Sequence, residues 1–201
     1  VIVPRLTSAH YYLVAMLNNV GLKEEDITIV SAPAPQAGAS VSKFRNAEAL
    51  AHGDADVIAT FEPEPQFAVN LLGKDAIVLQ DKKVYREAFN LNARAPDLAD
   101  PEKRRAIVAF VRAAAQASAA IKKDPEKYWP HISSVIGFTE EQIGWGWPET
   151  RFPVKIIPDM LDVLETEEIW LARVSNRAPR SRKELEKFID RSVVEEALKG
   201  P

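Results

Sequence analysis

Short apolar runs alternate with helix signals along the first part of the chain. The runs cover residues 1–3, 27–30, 56–59, 76–79 and 89–93. They are rich in Val, Ile and Ala, and they have the length of buried strands rather than of helices. Strands that alternate with helices pair in parallel, with each helix crossing a face of the sheet. The pattern therefore predicts an α/β fold with helices on both faces.

Helix signals fill the intervals between these runs. Thr7 and Ser8 are both good N-cap residues. The predicted helices cover residues 9–19, 42–51 and 66–72, with Gly21, Gly53 and Gly73 at their C-terminal ends. A stretch rich in proline and glycine, residues 31–40, is predicted to be a loop.

Beyond Asp100 the pattern is almost entirely helical. Asp100 followed by Pro101 is an N-cap with proline at the first helical position, and Asp124-Pro125 repeats this start signal. The first of these helices is predicted to bury a stripe formed by Ile107, Val111, Ala114, Ser118 and Ile121. Further helices are predicted after the capping box of residues 139–142, from Pro158 to about Ala172, and within residues 182–198.

Composition excludes several classes of function. Of 201 residues, 46% are hydrophobic and 27% are charged, as in ordinary globular proteins. A net charge of −3 argues against a nucleic-acid-binding protein. The absence of cysteine excludes disulfides, thiolate metal sites and cysteine nucleophiles within this sequence. Because the sequence starts at Val1 inside an apolar run, we expect residues to be missing on its N-terminal side.

The segment from Arg5 to His10 is the first candidate site. It lies between the first predicted strand and the first predicted helix, at the carboxyl end of the strand. A helix N-terminus offers unpaired backbone N–H groups, and Thr7 and Ser8 add hydroxyls beside them, which suits an oxoanion. The alternative is that Ser8 only caps the helix, and that His10 is an ordinary residue of its first turn.

The turn at Phe61-Glu62-Pro63 is the second candidate site. It follows another predicted strand at the same edge of the sheet, and Glu62 is either a hydrogen-bond acceptor for a ligand or a solvated turn residue. The aromatic residues Trp129, Trp145, Trp147 and Phe152 are interpreted mainly as packing between helices. The three histidines are far apart, and no motif of a catalytic nucleophile is present, so neither a metal site nor an enzyme is expected.

Several segments together resemble one known family. They are residues 3–11, 21–27, 47–56 and 61–63, and the two Asp-Pro-Glu helix starts at Asp100 and Asp124. This set is similar to the sulfonate, nitrate and taurine solute-binding proteins of ABC importers, which have the type II periplasmic binding fold. The resemblance implies a doubly wound lobe of parallel strands and a helix-rich C-terminal part. Residues 1–63 would form the second lobe, 64–93 the segment crossing back, and 94–201 the helical remainder of the first lobe.

The same resemblance implies a function and a site. The protein would be an extracytoplasmic or periplasmic monomer that captures a small oxoanion between two lobes and delivers it to a membrane permease, without cofactor or catalysis. Thr7, Ser8 and Ala9 match the stretch that meets the anionic group, with His10 beside them. Glu62 matches the acidic residue of the family's Trp-Glu-Pro-like turn, in which Phe61 replaces tryptophan. Two alternatives stay open: an enzyme on this fold, of the pyrimidine synthase or desulfinase type, and a ligand-sensing module.

Overall fold

The computed structural model describes residues 1–30 and 43–199, which are mainly helical. The α-helices are α1 Ser8–Asn19, α2 Arg45–Ala51, α3 Glu64–Leu72, α4 Ala95–Ala99, α5 Pro101–Lys123, α6 Trp129–Ile136, α7 Glu140–Gly146, α8 Met160–Val174, α9 Arg182–Glu186 and α10 Ser192–Leu198. Short 3-10 helices cover Glu24–Asp26, Gly73–Asp75, Glu126–Tyr128 and Trp147–Glu149. The predicted loop at 31–40 and the predicted cap at Ser42 lie outside the described residues.

The predicted doubly wound α/β sheet is wrong. Within residues 1–30 and 43–199 no strand is formed, and the β-structure consists of isolated parallel bridges from Ile2 to Val30 and from Ile2 to Ile58. The bonds that form them include Ile2 N–H to Val57 O and Ala59 N–H to Ile2 O, each 2.9 Å. Three of the predicted strands are thus reduced to single bridging residues, and the type II periplasmic binding fold is not observed.

The physical reason is that no residues in the described ranges extend these bridges into ladders. Pro4 follows the bridging segment directly and has no N–H group to donate to a neighbouring strand. The predicted strands at 76–79 and 89–93 form no bridge in the described residues, and their apolar side chains are exposed, with Ile77 at 85% and Phe89 at 89%. Strand propensity depends on packing against paired neighbours, so short apolar runs without neighbours stay irregular.

The contacts between residues divide the chain into two units, and each has its own packing. The first comprises Val1–Ala88 and Glu141–Pro148. Its buried core joins Ile2 to Ala49 of α2, with Ala55 and Ile58 packed against them. The rings of Phe44 and Phe67 stack at 4.3 Å where α2 and α3 meet.

The second unit comprises Phe89–Glu140 and Glu149–Pro201. Val108 and Val111 of α5 form its core with Val193 and Ala197 of α10. Ile107 packs against this core, as the predicted stripe requires. The boundaries predicted at residues 63 and 93 concern the lobes of the family's fold and stay a prediction.

The helix signals read from the sequence are largely confirmed. Thr7 caps α1, and Asp100 caps α5 by accepting from the N–H groups of Glu102 and Lys103. Gly73 ends α3 as expected, and Gly21, Gly53 and Gly137 have positive φ angles directly beyond the ends of their helices. One signal gave a different element, because a 3-10 turn at Glu126–Tyr128 follows Asp124-Pro125 before α6 begins.

Candidate anion-binding site

The N-terminus of α1 begins with a cap made by Thr7. Its backbone is extended, with φ −112° and ψ 171°, as an N-cap residue requires. The Thr7 hydroxyl accepts from the His10 N–H at 3.4 Å and donates to the Pro4 carbonyl at 2.6 Å. These two bonds fix the direction in which the chain enters the helix.

Three consecutive backbone donors at this point have no acceptor among the residues that the structure describes. Within the described residues, the N–H groups of Thr7, Ser8 and Ala9 make no hydrogen bond, and the first helical bond closes from Tyr11 N–H to Thr7 O at 3.0 Å. The side chains of Thr7 and Ser8 are partly exposed. Orphan N–H groups at a helix start carry partial positive charge, so this end of α1 can attract an anion.

His10 is buried beneath the turn that leads into α1 and holds this turn in place. Its side chain is buried, at 2% exposure. Nδ1 accepts from the Leu6 N–H at 3.1 Å, so the ring proton lies on Nε2, which donates to Glu24 at 3.0 Å. Arg5 approaches the same carboxylate at 3.7 Å. His10 therefore stabilises Leu6, whose φ of 60° lies in the left-handed region.

A carboxylate of the protein itself reaches the predicted site. The Ser8 hydroxyl donates a hydrogen bond to Glu87, and both side chains are partly exposed. The segment that carries Glu87 is fastened to α1 by the Asp81 N–H, which donates to the Tyr12 hydroxyl at 2.8 Å. The Tyr85 ring packs edge-on against Tyr11 with centroids 5.1 Å apart. The start of α1 thus already presents a hydroxyl to an oxyanion.

Sequence reasoning missed this contribution from residues 81–87. Glu87 lies far from Ser8 along the chain, and the segment carries no motif that would assign it to the site. Tyr11 and Tyr12 of α1 were the one available signal for a segment packed here, since aromatic side chains on a helix need a packing partner.

The second candidate site is built around Glu62. Its carboxylate accepts from the Gln66 N–H at 3.3 Å in the first turn of α3. Partial burial raises the pKa of Glu62 above its usual value, and the Gln66 bond partly opposes this rise. A Cβ atom added at Gly146 would lie 3.0 Å from the Glu62 Cβ. Glycine at this position therefore allows α7 to approach the Glu62 side chain closely. Phe61 beside it is 40% exposed.

The two candidate sites lie at the same end of the bridged segments. Because Ile2 pairs in parallel with Ile58, the chain leaves both segments in the same direction, toward Thr7 and toward Phe61. In the described residues no hydrogen bond or ring contact joins Thr7, Ser8 or Ala9 to Phe61 or Glu62. The structure therefore forms the two sites separately.

A buried carboxylate next to the second site was not anticipated. Glu64, 7% exposed, accepts from the backbone N–H groups of Asn46 and Ala47 at 2.8 and 3.2 Å. It also accepts from the Asn46 side-chain amide and from the Thr60 hydroxyl, at 2.9 and 2.7 Å. Glu64 thereby occupies the N-terminus of α2 and leaves no room there for an external anion.

Other candidate chemistry is dispersed. In the part of the chain that the structure describes, no cluster of three or more His, Asp or Glu side chains could hold a metal ion. Trp145 and Trp147 belong to the first unit, whereas Trp129 and Phe152 belong to the second. None of the described helices combines the length and the apolar character needed to cross a membrane.

Neither a family model, nor a curated protein, nor a solved structure matches this chain.

Proposed function

We propose that this protein is the extracytoplasmic solute-binding component of an ABC importer and that it takes up a small oxoanion, such as a sulfonate or nitrate. The observation that carries the proposal is the row of N–H groups from Thr7 to Ala9 without acceptors in the described residues. Three N–H groups and an adjacent hydroxyl match the three or more oxygens of such an ion, and no cationic side chain is needed.

The contact between Ser8 and Glu87 supports the same reading. The Ser8 hydroxyl already donates a hydrogen bond to a carboxylate of the protein. It can therefore donate in the same way to a carboxylate, sulfonate or nitrate ligand. A bound anion would compete with Glu87 for the Ser8 hydroxyl and would take the free N–H groups as well. In this proposal the anion is bound without a covalent step and is then delivered to a permease.

A thermal-shift series tests the proposal. Sulfate, nitrate, taurine and an alkyl sulfonate are added to the purified protein, with chloride at the same ionic strength as reference. We expect at least one to raise Tm in a dose-dependent way. At a hundredfold excess over Kd, binding stabilises the folded state by about 2.7 kcal/mol, which corresponds to a rise of roughly 5–10 °C.

Ser8→Leu is the decisive variant. It removes the hydroxyl and places an apolar side chain over the N–H groups, so we expect the anion affinity to fall at least about tenfold. Ser134→Leu is the matched control, because Ser134 is an exposed helical serine of the second unit, whose hydroxyl donates to the His131 carbonyl. An unchanged response of the Ser8 variant, or no Tm shift with any anion, would disprove the site.

Glu87→Gln tests the competition. Glutamine keeps an oxygen that can accept from the Ser8 hydroxyl but removes the negative charge beside the incoming anion. We expect the anion to bind about fivefold to tenfold more tightly, because like charges at close range repel even near the surface. Titration calorimetry at low and high salt measures this, and weaker binding by the variant would show that Glu87 assists the ligand.

A further inference from the structure

A strap formed by residues 81–87 runs along the first turn of α1. At one end of the strap, the Asp81 N–H donates to the Tyr12 hydroxyl at 2.8 Å. At the other end, the Glu87 carboxylate accepts from the Ser8 hydroxyl. Tyr12 lies about one helical turn after Ser8. The strap therefore follows α1 backwards and ends on the hydroxyl of the proposed anion site.

The strap is ordered at Asp81 and only lightly packed beyond it. The Asp81 carboxylate accepts from the Lys83 N–H at 2.8 Å, and the Asp81 carbonyl accepts from the Val84 N–H at 3.1 Å, so this end is a closed turn. Farther along, the rings of Tyr85 and Tyr11 meet edge-on, and both side chains are partly exposed. No residue of the strap is buried. Segments with few buried apolar contacts open at a low cost in free energy, so the strap can leave α1 while the core stays folded.

Glu87 and a ligand anion exclude each other at Ser8. The Ser8 hydroxyl has one proton to donate, and Glu87 accepts it in the closed strap. An oxoanion at the same hydroxyl would also face the negative charge of Glu87 at close range. The first unit therefore has two states, one with the strap closed on Ser8 and one with the strap open and the hydroxyl available to a ligand.

We propose that residues 81–87 are an autoinhibitory strap, which holds Glu87 on Ser8 in the absence of ligand and is opened when an oxoanion displaces this carboxylate. This inference rests on the proposed anion site and adds its regulation. The apparent affinity for the anion is the intrinsic affinity reduced by the fraction of molecules in which the strap is open. A change that releases the strap strengthens binding by the factor by which it raises this fraction.

Limited digestion with trypsin measures the state of the strap, because Lys82, Lys83 and Arg86 are exposed residues within it. Cleavage follows the population of the open form when opening is fast. In chloride buffer, we expect Tyr12→Phe to be cleaved in the strap about threefold to tenfold faster than the native protein, because one hydrogen bond is lost. Tyr128→Phe is the matched control, because Tyr128 is a partly buried tyrosine of the second unit, and its strap should be cleaved at the native rate.

The effect of the anion has an unusual sign. We take whichever of sulfate, nitrate, taurine and the alkyl sulfonate raises Tm most. At saturation it should speed cleavage in the strap at least about threefold while cleavage within α5 slows or stays unchanged. In titration calorimetry, Tyr12→Phe should bind this anion more tightly, by the same factor as its faster cleavage in chloride.

Glu87→Ala is the second variant, because it removes the carboxylate without changing α1, and its strap should also be cleaved faster in chloride. Equal strap cleavage of the native protein, Tyr12→Phe and Glu87→Ala would show that the closed strap does not form and would overturn the proposal. An anion that raises Tm but leaves strap cleavage unchanged or slower overturns the strap and leaves the anion site standing. Failure of both the native protein and Tyr12→Phe to bind any of the four anions disproves the anion site itself, and the autoinhibition with it.

Discussion

Glu64→Ala is expected to lower the free energy of unfolding by about 3–4 kcal/mol, the largest effect of any single substitution considered. Four hydrogen-bond donors converge on this carboxylate, which is 7% exposed. α2 has no side-chain cap of its own, since its N-cap residue is Phe44. Alanine would leave the N–H groups of Asn46 and Ala47 without acceptors in a partly buried place, and it would leave a cavity.

Urea denaturation monitored by circular dichroism measures the loss, and hydrogen exchange locates it. The amides of Asn46 and Ala47 should exchange faster in the variant, whereas amides of α5 should not change. Glu184→Ala is the matched control, because Glu184 also accepts at a helix N-terminus, from Ser181, but at an exposed position. We expect it to cost much less than Glu64→Ala. Equal losses in both variants would contradict the role assigned to burial.

Glu168→Gln is expected to cost about 2–3 kcal/mol at neutral pH, discounted for the partial exposure of its partners. The Glu168 carboxylate of α8 is 6% exposed, whereas the side chains of Arg177 and Arg180 are 32% and 49% exposed. Arg177 donates through both terminal nitrogens, and the Arg180 N–H donates at 2.7 Å. The variant loses this fork and with it the attachment of the loop that follows α8. Glu165→Gln, also on α8, breaks an exposed pair with Arg182 of α9 and should cost less than about 0.5 kcal/mol.

The stabilisation by Glu168 should depend on pH in one direction. The Arg177 fork and the Arg180 N–H lower the pKa of Glu168 to about 2, from its ordinary value of 4.5. The unfolded chain therefore takes up the proton first, and the contribution is complete above about pH 4.5 and lost as pH falls toward 2. The difference in unfolding free energy between the native protein and Glu168→Gln should shrink over this interval. A constant difference from pH 7 to pH 2.5 would contradict the assignment.

Local signals in the sequence were sufficient for the helices and for the start of α1. Each of these signals depends on residues close to it in sequence. They are the Thr7 cap, the glycines beyond α1, α2 and α3, and the Asp100-Pro101 start of α5. The predicted alternation of strands and helices was wrong, because a β-ladder needs partners from distant parts of the chain. Among the described residues, Ile2 forms single bridges, to Val30 and to Ile58.

The candidate site, like the fold, was predictable from the sequence only in its local features. The sequence by itself determined that Thr7, Ser8 and Ala9 open a helix and offer N–H groups, because a helix start always leaves its first donors unpaired. Only the tertiary structure decided which donors stay free and which side chains reach them. It buried His10 against Glu24, brought Glu87 to Ser8 and placed Glu64 on α2. Contacts between residues far apart in sequence depend on packing geometry, which cannot be deduced from residue spacing or from secondary-structure propensity.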